Sequence, residues 1–251
     1  METTKLKRFA QHARTTLIDT VKTKLAFVLA DGSSARRESP HAIEKLQQEI
    51  AKSSKEQVID KVAYIWFNRF IALRFMDVNR YTKLNIVSPE PGQFQPTILS
   101  DAKMGHVDES LVSDSVKEKV LALLESRTPS KDPQGEAYKL LIVSTCNYYS
   151  HAMPFLFERI ADYTELLMPD DLLSGTSILS YVREAMTPDV CVDVEVIGWL
   201  YQFYISEKKA EVDLKVKNGG KVSTNEIPAK TQLFTPRWIV QYMVENSLGR
   251  L

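Results

Sequence analysis

The chain has 251 residues, of which 44% are hydrophobic and 25% are charged, and its 32 basic side chains equal its 32 acidic ones. This composition is ordinary for a soluble globular protein and excludes a low-complexity chain. The neutral balance neither indicates nor excludes a nucleic-acid partner, because a basic face can lie within a neutral total.

Helical periodicity dominates the first third of the sequence. Ser39-Pro40 predicts a helix start, and Ser54 is predicted to cap a further helix over VIDKVAYIWFNRFIALRFMDVNR, which is apolar on most of its circumference and therefore expected to be central. Residues 4–30 precede these starts, and their apolar side chains recur at steps of three and four, which predicts one buried helical face: Leu6, Phe9, Ala13, Leu17, Val21, Leu25 and Val28.

The middle of the sequence alternates between turn residues and helical runs. Residues 85–107 contain four turn-forming prolines and glycines within twelve residues and predict a loop, or strands too interrupted to be central. Helical periodicity returns in SDSVKEKVLALLES and again after Asp132-Pro133. Pro154 is expected to end or kink that second helix, and Asp170 and Ser177 are expected to cap short helices.

Towards the C-terminus a long helix is followed by a linker. Alternating valines at residues 190–196 fit a strand, but twelve or more apolar-rich residues follow without a breaker and favour a helix from about Asp193. The charged, glycine-rich stretch KVKNGGKVSTN predicts the linker. We therefore predict a mainly α fold, with a helical domain over residues 1–215, a linker over 216–230 and the start of another unit over 231–251.

Few residues suggest metal, redox or membrane chemistry. Cys146 and Cys191 are expected to be buried thiols in a reducing cytoplasm rather than a disulfide, and the four histidines show no metal-ligand spacing. The polar N-terminus is not a signal peptide, and no apolar run approaches the roughly 20 residues needed to cross a bilayer. We expect a cytoplasmic protein without a metal site.

One fragment imitates a metal-dependent nuclease. Pro188-Asp189 followed by Glu207-Lys208-Lys209 fits a pattern in which Asp189 and Glu207 hold Mg²⁺ and Lys209 orients the attacking water. That chemistry needs both acids on adjacent strands, whereas the periodicity makes Glu207 the end of a helix. The nuclease is the weakest of the functional hypotheses.

The stretch TQLFTPRWIVQYMVENSLGRL closes the sequence and has a clear local interpretation. Thr235 is predicted to cap a helix with Pro236 in its first turn, and Gly249 is predicted to close it. The apolar residues of this helix are spaced as a stripe that we expect to be buried: Trp238, Ile239, Tyr242, Met243 and Leu248.

The same stretch resembles a known methyltransferase segment. TQLFTPRWIVQYMV is similar to the run that amino-group DNA methyltransferases place before their Rossmann-like cofactor domain. Residues 196–251 together resemble this junction in the PglX family, the adenine-specific methyltransferases of bacterial BREX phage-defence systems, and residues 1–195 resemble that family's helical N-terminal domain more weakly. The resemblance implies contacts to the methionine end of S-adenosylmethionine from Thr231, Gln232, Phe234, Thr235 and Pro236.

The resemblance also indicates what the chain lacks. These enzymes continue into a glycine-rich cofactor loop and an Asn-Pro-Pro-Tyr/Phe loop for the flipped adenine, whereas this sequence has neither a G-x-G nor an Asn-Pro dipeptide. We therefore expect residues 231–251 to open an absent methyltransferase domain. This chain is expected to be the N-terminal portion of a longer enzyme, inactive alone and without catalytic residues of its own.

Two roles remain open for the helical part. It could clamp double-stranded DNA through the densest basic stretch, although a solvated linker explains those residues equally well: Lys208, Lys209, Lys215, Lys217, Lys221, Lys230 and Arg237. Alternatively it is a protein-interaction module that binds other BREX subunits or a phage protein that mimics DNA.

Overall fold

The computed structural model describes residues 3–154, 156–157, 162–231 and 234–250. It is 66% helical, and the described residues contain no strand, which confirms the predicted mainly α class. The α-helices are α1 (Thr3–Leu29), α2 (Ser34–Glu38), α3 (Pro40–Lys52), α4 (Lys55–Val78), α5 (Thr97–Lys103), α6 (Asp114–Leu124), α7 (Pro133–Tyr149), α8 (Asp162–Leu166), α9 (Ile178–Ala185), α10 (Glu195–Lys217), α11 (Ile227–Thr231) and α12 (Arg237–Glu245).

Three long helices, α1, α4 and α10, form the centre of the core. α1 packs against α4, α9 and α10, and all seven residues of its predicted apolar face are buried. α4 begins after Ser54, whose side chain accepts a hydrogen bond from the Gln57 amide, as predicted. Its fully buried Trp66 donates an indole N–H to the Thr164 carbonyl at 3.0 Å, so even the largest core side chain keeps its polar atom bonded.

A second group of helices, α5, α6 and α7, packs beside this core. α7 begins with Pro133 in its first turn, and the Asp132 side chain caps it by accepting from the Gly135 amide at 3.0 Å. α6 lies within the predicted run, and Ser177 caps α9 as predicted. These starts depend on hydrogen bonds between residues close in sequence, which explains why they could be predicted.

A buried carboxylate ties the end of α4 to the segment that follows it. Asp77 accepts hydrogen bonds from the amides of Ile86, Val87 and Ser88 at 2.7–2.9 Å and from the Ser88 hydroxyl at 2.8 Å. The Tyr138 hydroxyl of α7 donates to the Ile86 carbonyl at 2.9 Å. Burial raises the pKa of Asp77, whereas its four donors favour the ionised form.

Three local predictions were wrong. Residues 85–107, predicted to be a loop or broken strands, include the helix α5. α7 ends at Tyr149, so Pro154 neither ends nor kinks it. The helix start predicted at Ser39-Pro40 is confirmed, with Ser39 in the N-cap position of α3, although its side chain makes no capping hydrogen bond. Asp170 caps no described helix; its carboxylate accepts from the ammonium groups of Lys24 and Lys139, both at 2.5 Å.

The predicted linker has structure of its own. α10 begins at Glu195, two residues after the predicted start, and runs to Lys217. A 3-10 turn over Thr224–Glu226 and the helix α11 follow, and α11 packs against α10. The domain limits at residues 215 and 230 stay predictions.

The two cysteines match the expected chemistry. Cys146 and Cys191 are buried and form no disulfide with each other. Burial raises the pKa of the Cys146 thiol to about 12, so it stays protonated and unreactive. No helix in the described stretches is both long enough and apolar enough to span a bilayer.

Candidate cofactor motif and basic surface

The predicted cofactor motif lies between α11 and α12. Pro236 is in an extended conformation (φ −55°, ψ 145°) and precedes the first helical residue, Arg237, so α12 begins one residue later than predicted. Thr235 is exposed, and no side chain caps the helix from the Pro236 position. The prediction that Thr235 caps the helix was therefore wrong.

Two carboxylates at the start of α10 and just before it lie at the N-terminal end of α12, where the threonine cap was expected. The backbone amide of Arg237 donates to Oε1 of Glu195, and the Arg237 guanidinium lies 3.3 Å from Oδ2 of Asp193. The backbone N–H of Glu195 and the nearby guanidinium hold the pKa of Asp193 below its usual value. An acidic pair 42 to 44 residues upstream thus neutralises the positive end of α12.

The ring of Phe234 packs against the backbone of α10 at Gly198. Its ring centroid lies 5.2 Å from that of Trp199, at an angle of 60°. A Cβ atom on Gly198 would lie 2.0 Å from the Phe234 ring, so only glycine leaves room there. The glycine within the apolar first half of α10 was a signal for this contact that the sequence analysis missed.

The structure brings together three of the five predicted cofactor residues. Phe234, Thr235 and Pro236 are consecutive residues in neither helix nor strand, directly before α12. Thr231 ends α11, and its hydroxyl donates to the Ile227 carbonyl at 2.9 Å. Gln232 lies outside the described residues.

The predicted buried stripe at α12 is not buried, because four of its five residues are exposed and Ile239 is only partly buried. Trp238 is 70% exposed, Met243 is 62% exposed, and α12 contributes no buried side chain among the described residues. Gly249 does not close the helix; α12 ends at Glu245 with Asn246 as its C-cap, and Gly249 lies in a following 3-10 turn. The apolar spacing was identified correctly, but the prediction that it is buried in this chain was wrong.

The seven predicted basic residues divide into two sets. Lys209, Lys217 and Lys221 make no ion pair with the described part of the chain. The other four each face a carboxylate, and we call them the paired set: Lys208 with Glu211 at 3.4 Å, Lys215 with Glu226 at 2.8 Å, Lys230 with Asp213, and Arg237 with Asp193.

Two ion pairs of the paired set, Lys215–Glu226 and Lys230–Asp213, join the predicted linker to α10. Lys215 and the Ser223 backbone hold the pKa of Glu226 at about 2, because both stabilise its ionised form. Glu226 also completes a capping box with Ser223 at the start of the 3-10 turn. Lys215 and Lys230 therefore have a structural role within the chain, which weakens their assignment as phosphate contacts.

The nuclease pattern lacks the geometry that it needs. Glu207 and Lys209 lie inside α10, which continues to Lys217, so Glu207 is not the last turn of that helix. Asp189 lies in a turn before the helix. The two acids are therefore not on adjacent strands, as the reaction would require.

The chain is similar over its whole length to part of two known proteins. No protein-family model matches the chain. The adenine-specific methyltransferase BrxX of Escherichia coli O9:H4 (strain HS) is 36% identical over 276 residues, which cover 100% of this chain and 22% of that protein. The adenine-specific methyltransferase PglX of Lacticaseibacillus casei (strain Zhang) is 34% identical over 287 residues, covering 100% of this chain and 23% of that protein. The predicted resemblance is confirmed, and the chain spans less than a quarter of either relative, at the N-terminal end.

Proposed function

We propose that this chain, similar throughout to the N-terminal part of two adenine-specific methyltransferases, is the helical N-terminal part of a longer S-adenosylmethionine-dependent enzyme. That enzyme methylates adenine N6 in double-stranded DNA within a BREX phage-defence system in the cytoplasm. The glycine-rich cofactor loop and the adenine pocket lie in the remainder of the longer protein. This chain contributes the entry into the cofactor site and does not methylate DNA alone.

The exposed face of α12 is the structural observation that supports this proposal. Trp238, Tyr242 and Met243 of α12, and Leu248 in the turn that follows it, are each between 62% and 70% exposed, although their spacing in the sequence is that of a buried helix face. Large apolar side chains that are exposed together commonly mark a surface that another domain or protein covers. We propose that the methyltransferase domain packs on this face and thereby fixes the motif beside the cofactor.

A comparison of methyl transfer tests the proposed function. The full-length protein and this chain are each incubated with double-stranded DNA and radiolabelled S-adenosylmethionine. We expect label on adenine N6 with the full-length protein and none with this chain. The absence of adenine methylation by a folded full-length protein, with its partner subunits present, would contradict the proposal.

The ion pairs of the paired set favour the alternative function, in which the chain is a protein-interaction module. Four of the seven predicted phosphate ligands are engaged with the chain's own carboxylates, so the basic surface is smaller than the sequence suggests. Other BREX subunits, or a phage protein that mimics DNA, are the partners that this second function would involve. Competition between DNA and an acidic protein for one surface distinguishes the two functions.

We predict that the two sets of lysines differ in DNA binding. Replacing Lys209, Lys217 and Lys221 together with alanine should reduce the slope of log affinity against log salt by about 2–3, because each lost phosphate contact removes about 0.9. The measurement is a titration of duplex DNA between about 50 and about 200 mM salt. The alanine triple variant at Lys208, Lys215 and Lys230 is the matched control, with an expected change in slope below about 1. Equal slopes for the two variants would show that the unpaired lysines do not form the DNA surface.

A further inference from the structure

A pocket opens where α1, α4, α10 and α11 meet, and we call it the tyrosine pocket because it is lined by Tyr64, Tyr201 and Tyr204. Its volume is about 430 Å³, within the range of roughly 300–1,000 Å³ that is typical of small-molecule sites. None of the described residues of the proposed cofactor motif lines it. The tyrosine pocket is therefore a separate candidate site.

The walls of the tyrosine pocket are largely aromatic. The ring centroid of Tyr64 lies 5.5 Å from that of Tyr201 and 5.7 Å from that of Tyr204. The Arg14 guanidinium lies 5.6 Å from the centroid of the Tyr204 ring. Aromatic side chains pack well against other flat rings, and a nucleic-acid base is such a ring. The pocket therefore suits a ligand that contains a planar ring.

The Tyr204 hydroxyl is the group that points to a ligand. Tyr204 is only 4% exposed, and its hydroxyl has no hydrogen-bond partner within the described part of the chain. Two charges that act on this hydroxyl, those of Arg14 and Asp60, also line the pocket. Tyr138 and Trp66, which are equally buried, each donate to a backbone carbonyl. Because an unbonded buried hydroxyl is costly, a ligand that accepts from Tyr204 would supply the missing partner.

The charged groups of the tyrosine pocket are mostly positive. Three cations and one carboxylate line it: Arg14, Lys61, Lys208 and Asp60. Arg14 pairs with Asp60 at 3.2 Å, whereas Lys61 and Lys208 lie 3.6 and 3.4 Å from Glu49 and Glu211, which are outside the pocket. Such loose surface pairs contribute little in water, so an anion can replace their carboxylates. The pocket therefore favours a ligand that carries a negative group.

We propose that the tyrosine pocket binds a nucleotide, whose base packs against the tyrosine rings and accepts a hydrogen bond from the Tyr204 hydroxyl while its phosphate faces Lys61 and Lys208. The nucleotide is either free or one unit of a single strand, since both present the same base and phosphate. Pro228 and Ala229 of α11 complete the pocket, so a bound nucleotide also holds the predicted linker against the core. This inference does not rest on the proposed function, because the cofactor motif takes no part in it.

Calorimetry on the full-length protein tests the proposal, with adenosine monophosphate as the probe. Saturating S-adenosylhomocysteine keeps the probe out of the proposed cofactor site. Tyr204→Phe should weaken binding of the probe about 3–10-fold, because one hydrogen bond is lost. The melting temperature should not fall, because the described part of the chain does not bond this hydroxyl. Tyr163→Phe is the matched control, because Tyr163 is also buried and does not line the pocket, and it should change neither quantity.

Two further measurements concern the phosphate and the source of the nucleotide. Lys208→Gln should weaken adenosine monophosphate binding about 2–5-fold and leave adenosine binding unchanged, because only the first ligand carries a phosphate. A short single-stranded oligodeoxyadenosine replaces the free nucleotide in a second titration. If Tyr204→Phe weakens binding of the oligonucleotide alone, the pocket takes a unit of a strand; if it weakens adenosine monophosphate, the pocket takes the free nucleotide.

Several results would overturn the proposal. A wild-type protein that binds neither probe does so, as does a Tyr204→Phe variant that binds both as tightly as the wild type. A Tyr204→Phe variant that melts at a lower temperature or fails to fold would show that the protein itself uses the hydroxyl. Equal effects of Lys208→Gln on adenosine and adenosine monophosphate would remove the phosphate contact. Failure to bind S-adenosylhomocysteine contradicts only the proposed function.

Discussion

Replacing Asp77 with alanine is expected to lower the free energy of unfolding by about 3–5 kcal/mol. The substitution removes the acceptor of four hydrogen bonds at 2.7–2.9 Å. Three of the donors are buried backbone amides that water cannot reach without opening the structure, so each loses its partner and regains none. Chemical denaturation monitored by circular dichroism measures the effect.

Two variants serve as controls for the Asp77 substitution. Asp77→Asn keeps the shape but turns one acceptor oxygen into a donor, so its destabilisation should be intermediate. Asp19→Ala removes an exposed carboxylate from α1 and should change the unfolding free energy by less than about 0.5 kcal/mol. An Asp77→Ala variant as stable as Asp19→Ala would show that the carboxylate does not organise the segment after α4.

Gly198→Ala is expected to expel the Phe234 ring from its place on α10. The added methyl carbon would lie 2.0 Å from the ring, far inside van der Waals contact, so the ring must move. We expect a loss of about 1–3 kcal/mol in unfolding free energy, as for other overpacked sites. The proximity of Phe234 to Trp199 supplies a local readout by NMR, since the ring currents on Trp199 should change.

A double-mutant cycle distinguishes this clash from a general effect on α10. In a Phe234→Ala background the obstacle is gone, and alanine is the better helix former by about 1 kcal/mol. Gly198→Ala should therefore become stabilising in that background, a reversal of sign that no additive model yields. The same loss in both backgrounds would indicate that Phe234 does not lie on Gly198.

Features set by neighbouring residues were predictable from the sequence. The α1 stripe follows from helical spacing alone, and the caps Ser54, Asp132 and Ser177 bond to amides three residues away. The position of the Thr-Pro motif before a helix was also predictable, because proline fits at or just before a helix start.

Features set by distant residues were not predictable. Asp170 accepts from Lys24, 146 residues away, and this long-range contact replaced the expected capping role. Glu195, 42 residues upstream of Arg237, accepts from the first amide of α12, whereas Thr235 had been predicted to cap this helix. Burial of the α12 stripe depends on a surface that the sequence of the helix cannot identify, so its spacing was predicted and its exposure was not.

The length of α10 sets the distance between the proposed cofactor motif and the unpaired lysines. Glu195 beside the motif and Lys217 among the unpaired lysines occupy opposite ends of one 23-residue helix. At 1.5 Å per residue these ends are about 33 Å apart, close to one helical turn of B-form DNA. If Lys217 contacts a phosphate of duplex DNA, as proposed, α10 separates that contact by about 33 Å from the motif that we propose to contact the methyl donor.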